Sequence, residues 1–183
     1  MDVSKEECVS LIPMTKIKKE KRIRNLINLS IKILTLALIF YIFFGVVFGL
    51  KRMETSFMSP NITDGDLLLY YKVDKNFELA DVVVVNINNK KNVYRIVAKE
   101  GQTVDISENG ILLIDGYPEE HQAFYETNKV ENSEVAFPYT VEPGKYFIMN
   151  DYRLEKNDSR VFGTISADSI IGKVIGRLQI RNI

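Results

Sequence analysis

Two side chains that do much of protein chemistry are almost absent. The 183-residue chain has one histidine, His121, and one cysteine, Cys8. A single cysteine excludes a disulfide scaffold and a metal site built from several thiolates. A single histidine leaves a Ser-His-Asp enzyme only one residue to work with. A charge surplus is also missing, with Lys+Arg 24 against Asp+Glu 24. That argues against a nucleic-acid partner, which usually meets a basic excess. Hydrophobic residues make up 46% and charged residues 26%, so neither a disordered chain nor a polytopic membrane protein fits. No residue pattern asks for a metal or a cofactor.

The charges are unevenly placed. Residues 33–50, ILTLALIFYIFFGVVFGL, contain none. As a helix these eighteen residues span about 27 Å, close to the hydrocarbon thickness of a bilayer. Starting at Leu29 lengthens the run, with Lys32 snorkelling outward. A core helix rarely stays apolar on every side for so long. A cleavable signal peptide has a shorter apolar region and small residues at its cut site, and Val46-Val47-Phe48-Gly49 offers no such site. The expectation is a retained transmembrane helix over 29–50. Residues 16–24, KIKKEKRIR, carry six basic side chains and one acid, so the tail 1–28 is expected in the cytoplasm and 51–183 outside. The tail and span hold eight basic and four acidic residues. The remaining 133 therefore carry 16 basic against 20 acidic, a net charge of −4. That length suffices for one domain with its own core. Cys8 reads as a free thiol on the inner side.

The outer part reads as strands. Leu67–Val73 and Asp81–Ile87 are short runs rich in Val, Leu and Tyr. Asn88–Asn92 reads as a turn before Val93–Ala98. Glu108-Asn109-Gly110 separates Val104–Ile106 from Ile111–Ile114, and Asn-Gly favours the positive φ of a hairpin turn. Pro143-Gly144 precedes Lys145–Met149, and a last strand is expected from about Lys173 to Ile180. The stretch 117–137 holds five glutamates and little periodicity. We read about 115–140 as an inserted loop or small subdomain, with His121 as a solvated residue in it.

Several short segments follow the apolar run in a fixed order. They are Phe57-Met58-Ser59-Pro60 leading to Gly65-Asp66, Val93-Tyr94-Arg95-Ile96-Val97, and Gly101-Gln102-Thr103-Val104. The last runs from Pro143 through Asn150-Asp151-Tyr152-Arg153 to Asp158-Ser159-Arg160-Val161-Phe162-Gly163 and Ile171-Gly172-Lys173. In this order and spacing the chain resembles the type I signal peptidases over about residues 33–180. The resemblance implies a mainly β fold, an antiparallel β domain preceded by one N-terminal transmembrane helix. It also implies a serine nucleophile activated by a neutral lysine, and preprotein signal peptides as substrates. A hydroxyl needs a nearby base to attack, and a lysine serves only when burial lowers its pKa.

The match fails at the centre. Met58 and Pro60 fit the family pattern Ser-Met-x-Pro, which places Phe57 at the nucleophile position. Arg95 fits the arginine that follows the family lysine, which places Tyr94 at the base position. A phenylalanine has no nucleophilic atom, and a phenol of pKa about 10 is a poor base at neutral pH. Thr55 keeps a hydroxyl where the family often has an oxyanion-stabilising serine, but a donor alone starts no reaction. In the last segment Asn150 and Tyr152 replace a family Gly and Asn, and Lys156 replaces the Ser that supports the lysine. Asp151, Arg153, Asp158, Ser159 and Arg160 persist, and we read them as structural support. A relocated Ser56–Lys156 dyad is conceivable, but strand alternation would turn Ser56 away from the site.

These residues together imply a non-catalytic, membrane-anchored binding module. Its peptide groove would be lined by Phe57, Met58, Pro60 and Tyr94, two aromatic rings taking the place of the dyad. Degenerate members of this kind resemble the signal-peptidase-like proteins of Gram-positive pilus assembly, with a pilin or a sortase as client. The alternative is an active type I signal peptidase.

Overall fold

The computed structural model describes residues 14–119, 124–131, 133 and 135–179. Cys8 and His121 lie outside the described residues. The chain divides into two compact units, residues 1–45 and 46–183.

The N-terminal helix, α1, runs from Met14 to Val47, about 51 Å at 1.5 Å per residue. It is the one helix among the described residues long and apolar enough to cross a membrane. Two boundaries differ from the expected 29–50. The basic run is itself helical and continuous with the apolar part. The helix also stops at Val47, because Phe48–Leu50 is taken into a strand. The helical length from Leu29 to Val47 is about 28 Å, and Lys32 lies within it.

Among the described residues the second unit holds eleven strands. In chain order they are β1 Phe48–Arg52, β2 Leu67–Tyr71, β3 Val82–Ile87, β4 Lys90–Lys99, β5 Thr103–Ile106 and β6 Leu112–Ile114. Next come β7 Tyr117–Pro118, β8 Tyr139–Thr140, β9 Lys145–Met149, β10 Ile165–Ser166 and β11 Ile170–Leu178. A four-residue helix, α2, covers Ser159–Phe162. Seven strands form one sheet in the order β1-β2-β11-β3-β4-β9-β10, and four form another in the order β7-β6-β5-β8. The pairings are antiparallel. The second sheet starts at Thr103, so it takes in two strands ahead of the expected insertion at about 115–140.

Local chemistry explains the main turns. Asn88 and Asn89 both have positive φ, 52° and 61°, a conformation that asparagine tolerates and that suits a two-residue hairpin. The turn is therefore two residues long, not five, and Lys90–Asn92 already belongs to β4. The closing strand β11 returns to lie between β2 and β3. Gly172 makes that approach possible: a Cβ there would strike the Tyr71 carbonyl.

Because β3 is central, both of its faces are covered. Val83 and Val85 point into one cluster with Phe77, Tyr94, Ile96 and Ile148, while Val84 points into another with Met53, Met58, Leu68 and Val93, as strand alternation requires. A third cluster, including Val97, Val104, Leu112 and Phe147, lies between the two sheets. The chemistry-bearing segments sit where the first two clusters meet along β4.

Candidate functional site

After β1 the chain folds into a compact turn. Met53 N–H donates to the Asp66 carbonyl at 2.8 Å, and Gly65 N–H donates to the Met53 carbonyl at 3.1 Å. Within it Ser59 N–H donates to Ser56 C=O, and Ile62 N–H to Met58 C=O. Met58 is fully buried in the core and anchors the turn from below; truncating such a residue costs about 2–5 kcal/mol. The Phe57 carbonyl accepts from Tyr152 N–H at 2.9 Å. Asn61 Nδ2 donates to Asp151 Oδ2 at 3.1 Å. Two tethers thus tie this turn to the loop after β9.

Tyr94 lies on β4 opposite Val83. Its side chain is 2% exposed and meets the ring of Phe162 edge-on, centroids 6.1 Å apart. Burial pushes its hydroxyl up to about 12, reinforced by the negative charge of Asp158; a hydrogen bond with Asn92 opposes the shift weakly. At neutral pH the group is a phenol with no basic lone pair to spare.

A cleft of about 310 Å³ lies here, and Phe57, Tyr94, Thr55, Val93, Lys91 and Asn157 are among its lining residues. Phe57 is half-buried and Thr55 exposed. Met58 and Pro60, expected in the groove, do not line it. Met58 is turned into the core, and Pro60 is exposed elsewhere on the turn. Ser56 and Lys156 are both exposed and also lie off the cleft wall. Strand alternation does not govern where Ser56 points, because 55–62 is a turn.

The loop after β9 is held by three buried ion pairs. Arg95 grips Asp151 with Nε to Oδ1 at 2.6 Å and Nη2 to Oδ2 at 2.5 Å, and its Nη1 donates to the Ala80 carbonyl at 2.7 Å. Asp158 caps α2, accepting from Arg160 N–H at 3.1 Å. It also takes Arg160 Nε at 2.9 Å and Nη2 at 2.8 Å. Arg160 spends its remaining donors on the carbonyls of Arg153, Asn128 and Glu155. All five guanidinium donors are then used, which is what a fully buried arginine requires. Ser159 Oγ accepts from Ile148 N–H at 2.9 Å, fastening α2 to β9.

The third pair is not legible in the sequence. Arg153 Nη2 donates to both oxygens of Glu119, at 3.0 and 2.8 Å. Its Nε, like Asn150 Oδ1, has no partner though buried. Burial pushes the Glu119 carboxyl up, more than Arg153 pulls it down. In the sequence Glu119 sits in a glutamate-rich stretch with no periodicity to mark it. Lys51, Glu54, Lys90, Lys91, Asn92 and Asn157 are further cleft residues that sequence reasoning missed. The signal for the β4 group was the Asn-Asn pair, which shortens the turn and puts Lys90 on the strand. Among the described residues no cluster of His, Cys, Asp or Glu is arranged to hold a metal ion.

A family model described as "Signal peptidase, peptidase S26" matches residues 26–178. The chain is 33% identical over 168 residues to "Signal peptidase I U" of Bacillus subtilis (strain 168), covering 85% of this chain and 88% of that one. It is 27% identical over 164 residues to "Inactive signal peptidase IA" of Staphylococcus aureus (strain COL), covering 85% and 90%. A crystal structure of a signal peptidase I from Enterococcus faecalis V583 aligns with a TM-score of 0.46 at 23% identity, covering 55% of this chain and 97% of that one.

Proposed function

The chain belongs to the signal peptidase, peptidase S26, family, and we propose that it is a non-catalytic member that binds an extended peptide client. One observation carries this reading: the residue at the family's base position, Tyr94, is a buried phenol with its pKa raised to about 12. Its counterpart at the nucleophile position, Phe57, has no hydroxyl. The two positions at which the family starts acyl transfer thus supply neither an attacking atom nor a base. The similarity to a staphylococcal relative named as inactive is in keeping with this.

Peptide binding survives the loss of chemistry. β9 pairs with β4 only from Arg95 to Lys99. On that side Lys90–Tyr94 has no strand partner among the described residues. An open strand edge beside two aromatic rings suits an extended chain that adds as a further strand. In the membrane we propose α1 as anchor, with the basic end in the cytoplasm and the β domain outside. The client we favour is a pilin or a sortase during sortase-dependent pilus assembly, the protein acting as a chaperone.

An active signal peptidase is the second reading, favoured by the 33% identity to the Bacillus relative. The discriminating experiment incubates the detergent-solubilised full chain with a preprotein. No cleavage is expected, and Phe57→Ser/Tyr94→Lys is expected to gain some. Cleavage by the unaltered chain would sink the non-catalytic reading. For the pilus role, deletion of the gene is expected to abolish the high-molecular-weight pilin ladder on a denaturing gel, and an unchanged ladder would reject it.

A further inference from the structure

The walls of the cleft carry a charge that the rest of the domain does not. Residues 51–183 are acidic by four charges, yet three lysines, Lys51, Lys90 and Lys91, line this one cleft. Its single lining carboxylate, Glu54, is already matched by Lys51 at 2.9 Å. Lys90 and Lys91 are exposed and have no carboxylate partner among the described residues. The cleft therefore presents two unmatched cations.

Their register says what would meet them. Lys90 is opposite Ile87, Lys91 opposite Asn86 and Tyr94 opposite Val83 on β3, while the pairing with β9 begins only at Arg95. Lys90, Asn92 and Tyr94 point to one side of β4, and Lys91 and Val93 to the other. Since residues of both sets line it, the cleft lies along the open edge of the strand. A chain pairing with that edge would place successive side chains alternately on the Lys90 side and on the Lys91 side.

We propose that the client segment is an acidic extended peptide, held by main-chain pairing to residues 90–94 of β4 with its carboxylates on Lys90 and Lys91. This rests on the peptide-binding reading above and names the chemistry of the client. The strand edge favours a peptide over an anionic lipid headgroup, which has no amides to pair with it. Sign complementarity of this sort selects partners and speeds encounter more than it adds affinity.

The test titrates the detergent-solubilised full chain, by fluorescence anisotropy, with three labelled peptides in which pairs of valines alternate with Glu-Glu, Gln-Gln or Lys-Lys, so that adjacent charges fall on both faces of the added strand. The Glu peptide is expected to bind roughly tenfold tighter than the Gln peptide, the sum of two partly exposed ion pairs. That preference should collapse when salt is raised from about 0.05 M to about 0.5 M. Lys90→Glu/Lys91→Glu should reverse it in favour of the Lys peptide, which also shows that the variant is folded. Equal binding of all three peptides would overturn the acidic-client inference and leave peptide binding standing. Displacement of the Glu peptide by short-chain phosphatidylglycerol, but not by phosphatidylcholine, would overturn it in favour of a lipid headgroup. Binding of none of the three would remove the peptide-binding reading itself.

Discussion

Asp151 holds Arg95 through two parallel hydrogen bonds, 2.6 and 2.5 Å, across 56 residues of chain. The two side chains are 7% and 8% exposed, and the arginine comes directly after Tyr94. This pair locks β4 to the loop that carries the backbone tether onto Phe57. Asp151→Ala leaves a buried guanidinium without its counter-charge. Breaking a buried pair in this way costs about 3–5 kcal/mol. Denaturant unfolding of the solubilised full chain should show a loss of that size, and a loss under about 1 kcal/mol would mean that water reaches the site.

Glu119 and Arg153 should behave differently. Burial outweighs the arginine's pull on the Glu119 carboxyl, and Arg153 Nε is left without a partner. A buried pair in that condition contributes little net stability, and apolar replacement of both partners is often neutral or favourable by about 1–4 kcal/mol. Glu119→Leu/Arg153→Met is expected to unfold at the same denaturant concentration as the parent, or a higher one. Glu119→Leu alone, which strands the arginine, is expected to fall well below both.

Tyr94 sets an alkaline limit. Its folded pKa of about 12 lies above the value of about 10 for an unfolded tyrosine. Between these two values the folded state binds more protons than the unfolded one, so stability falls as pH rises. Its contribution is complete below about pH 10 and is lost through about pH 12. Tyr94→Phe keeps the ring and removes the ionisation, so its melting temperature should decline less steeply over that window. Parallel declines for the two proteins would place the hydroxyl in solvent.

Restoring chemistry should need more than the dyad. A lysine at position 94 would be buried near Asp158, whose charge already acts on the residue there. The family resemblance places a supporting serine where this chain has Lys156. Phe57→Ser/Tyr94→Lys should therefore cleave a preprotein weakly, and adding Lys156→Ser should raise kcat by roughly tenfold or more, since small misplacements of catalytic groups are costly. An unchanged kcat in the triple variant would show that position 156 does not support the base.

Local signals carried much of the fold. The strand Lys145–Met149 lies where the run after Pro143-Gly144 places it, and the hairpins form at Asn and Gly. The helix end was misplaced because apolar composition does not distinguish Val47 from Leu50. Pairing with β2 makes that distinction, and pairing is not a local property. The groove members Met58 and Pro60 were misassigned for a related reason. A turn breaks the alternation that a strand would have imposed on 55–62.

By itself the sequence determined the apolar run, the β character of the rest, and the order of segments that resembles the family, with Phe57 and Tyr94 at the positions where that resemblance expects a serine and a lysine. These depend on residue type and spacing. Only the tertiary structure decided that Tyr94 is buried beside Asp158, that Glu119 meets Arg153, and that Lys90 and Lys91 flank an open strand edge. Each of these brings distant residues together or leaves an edge uncovered. A strand is exposed or paired according to where its neighbours end, and β9 ends its pairing with β4 at Arg95. That is how the acidic β domain comes to present a basic cleft.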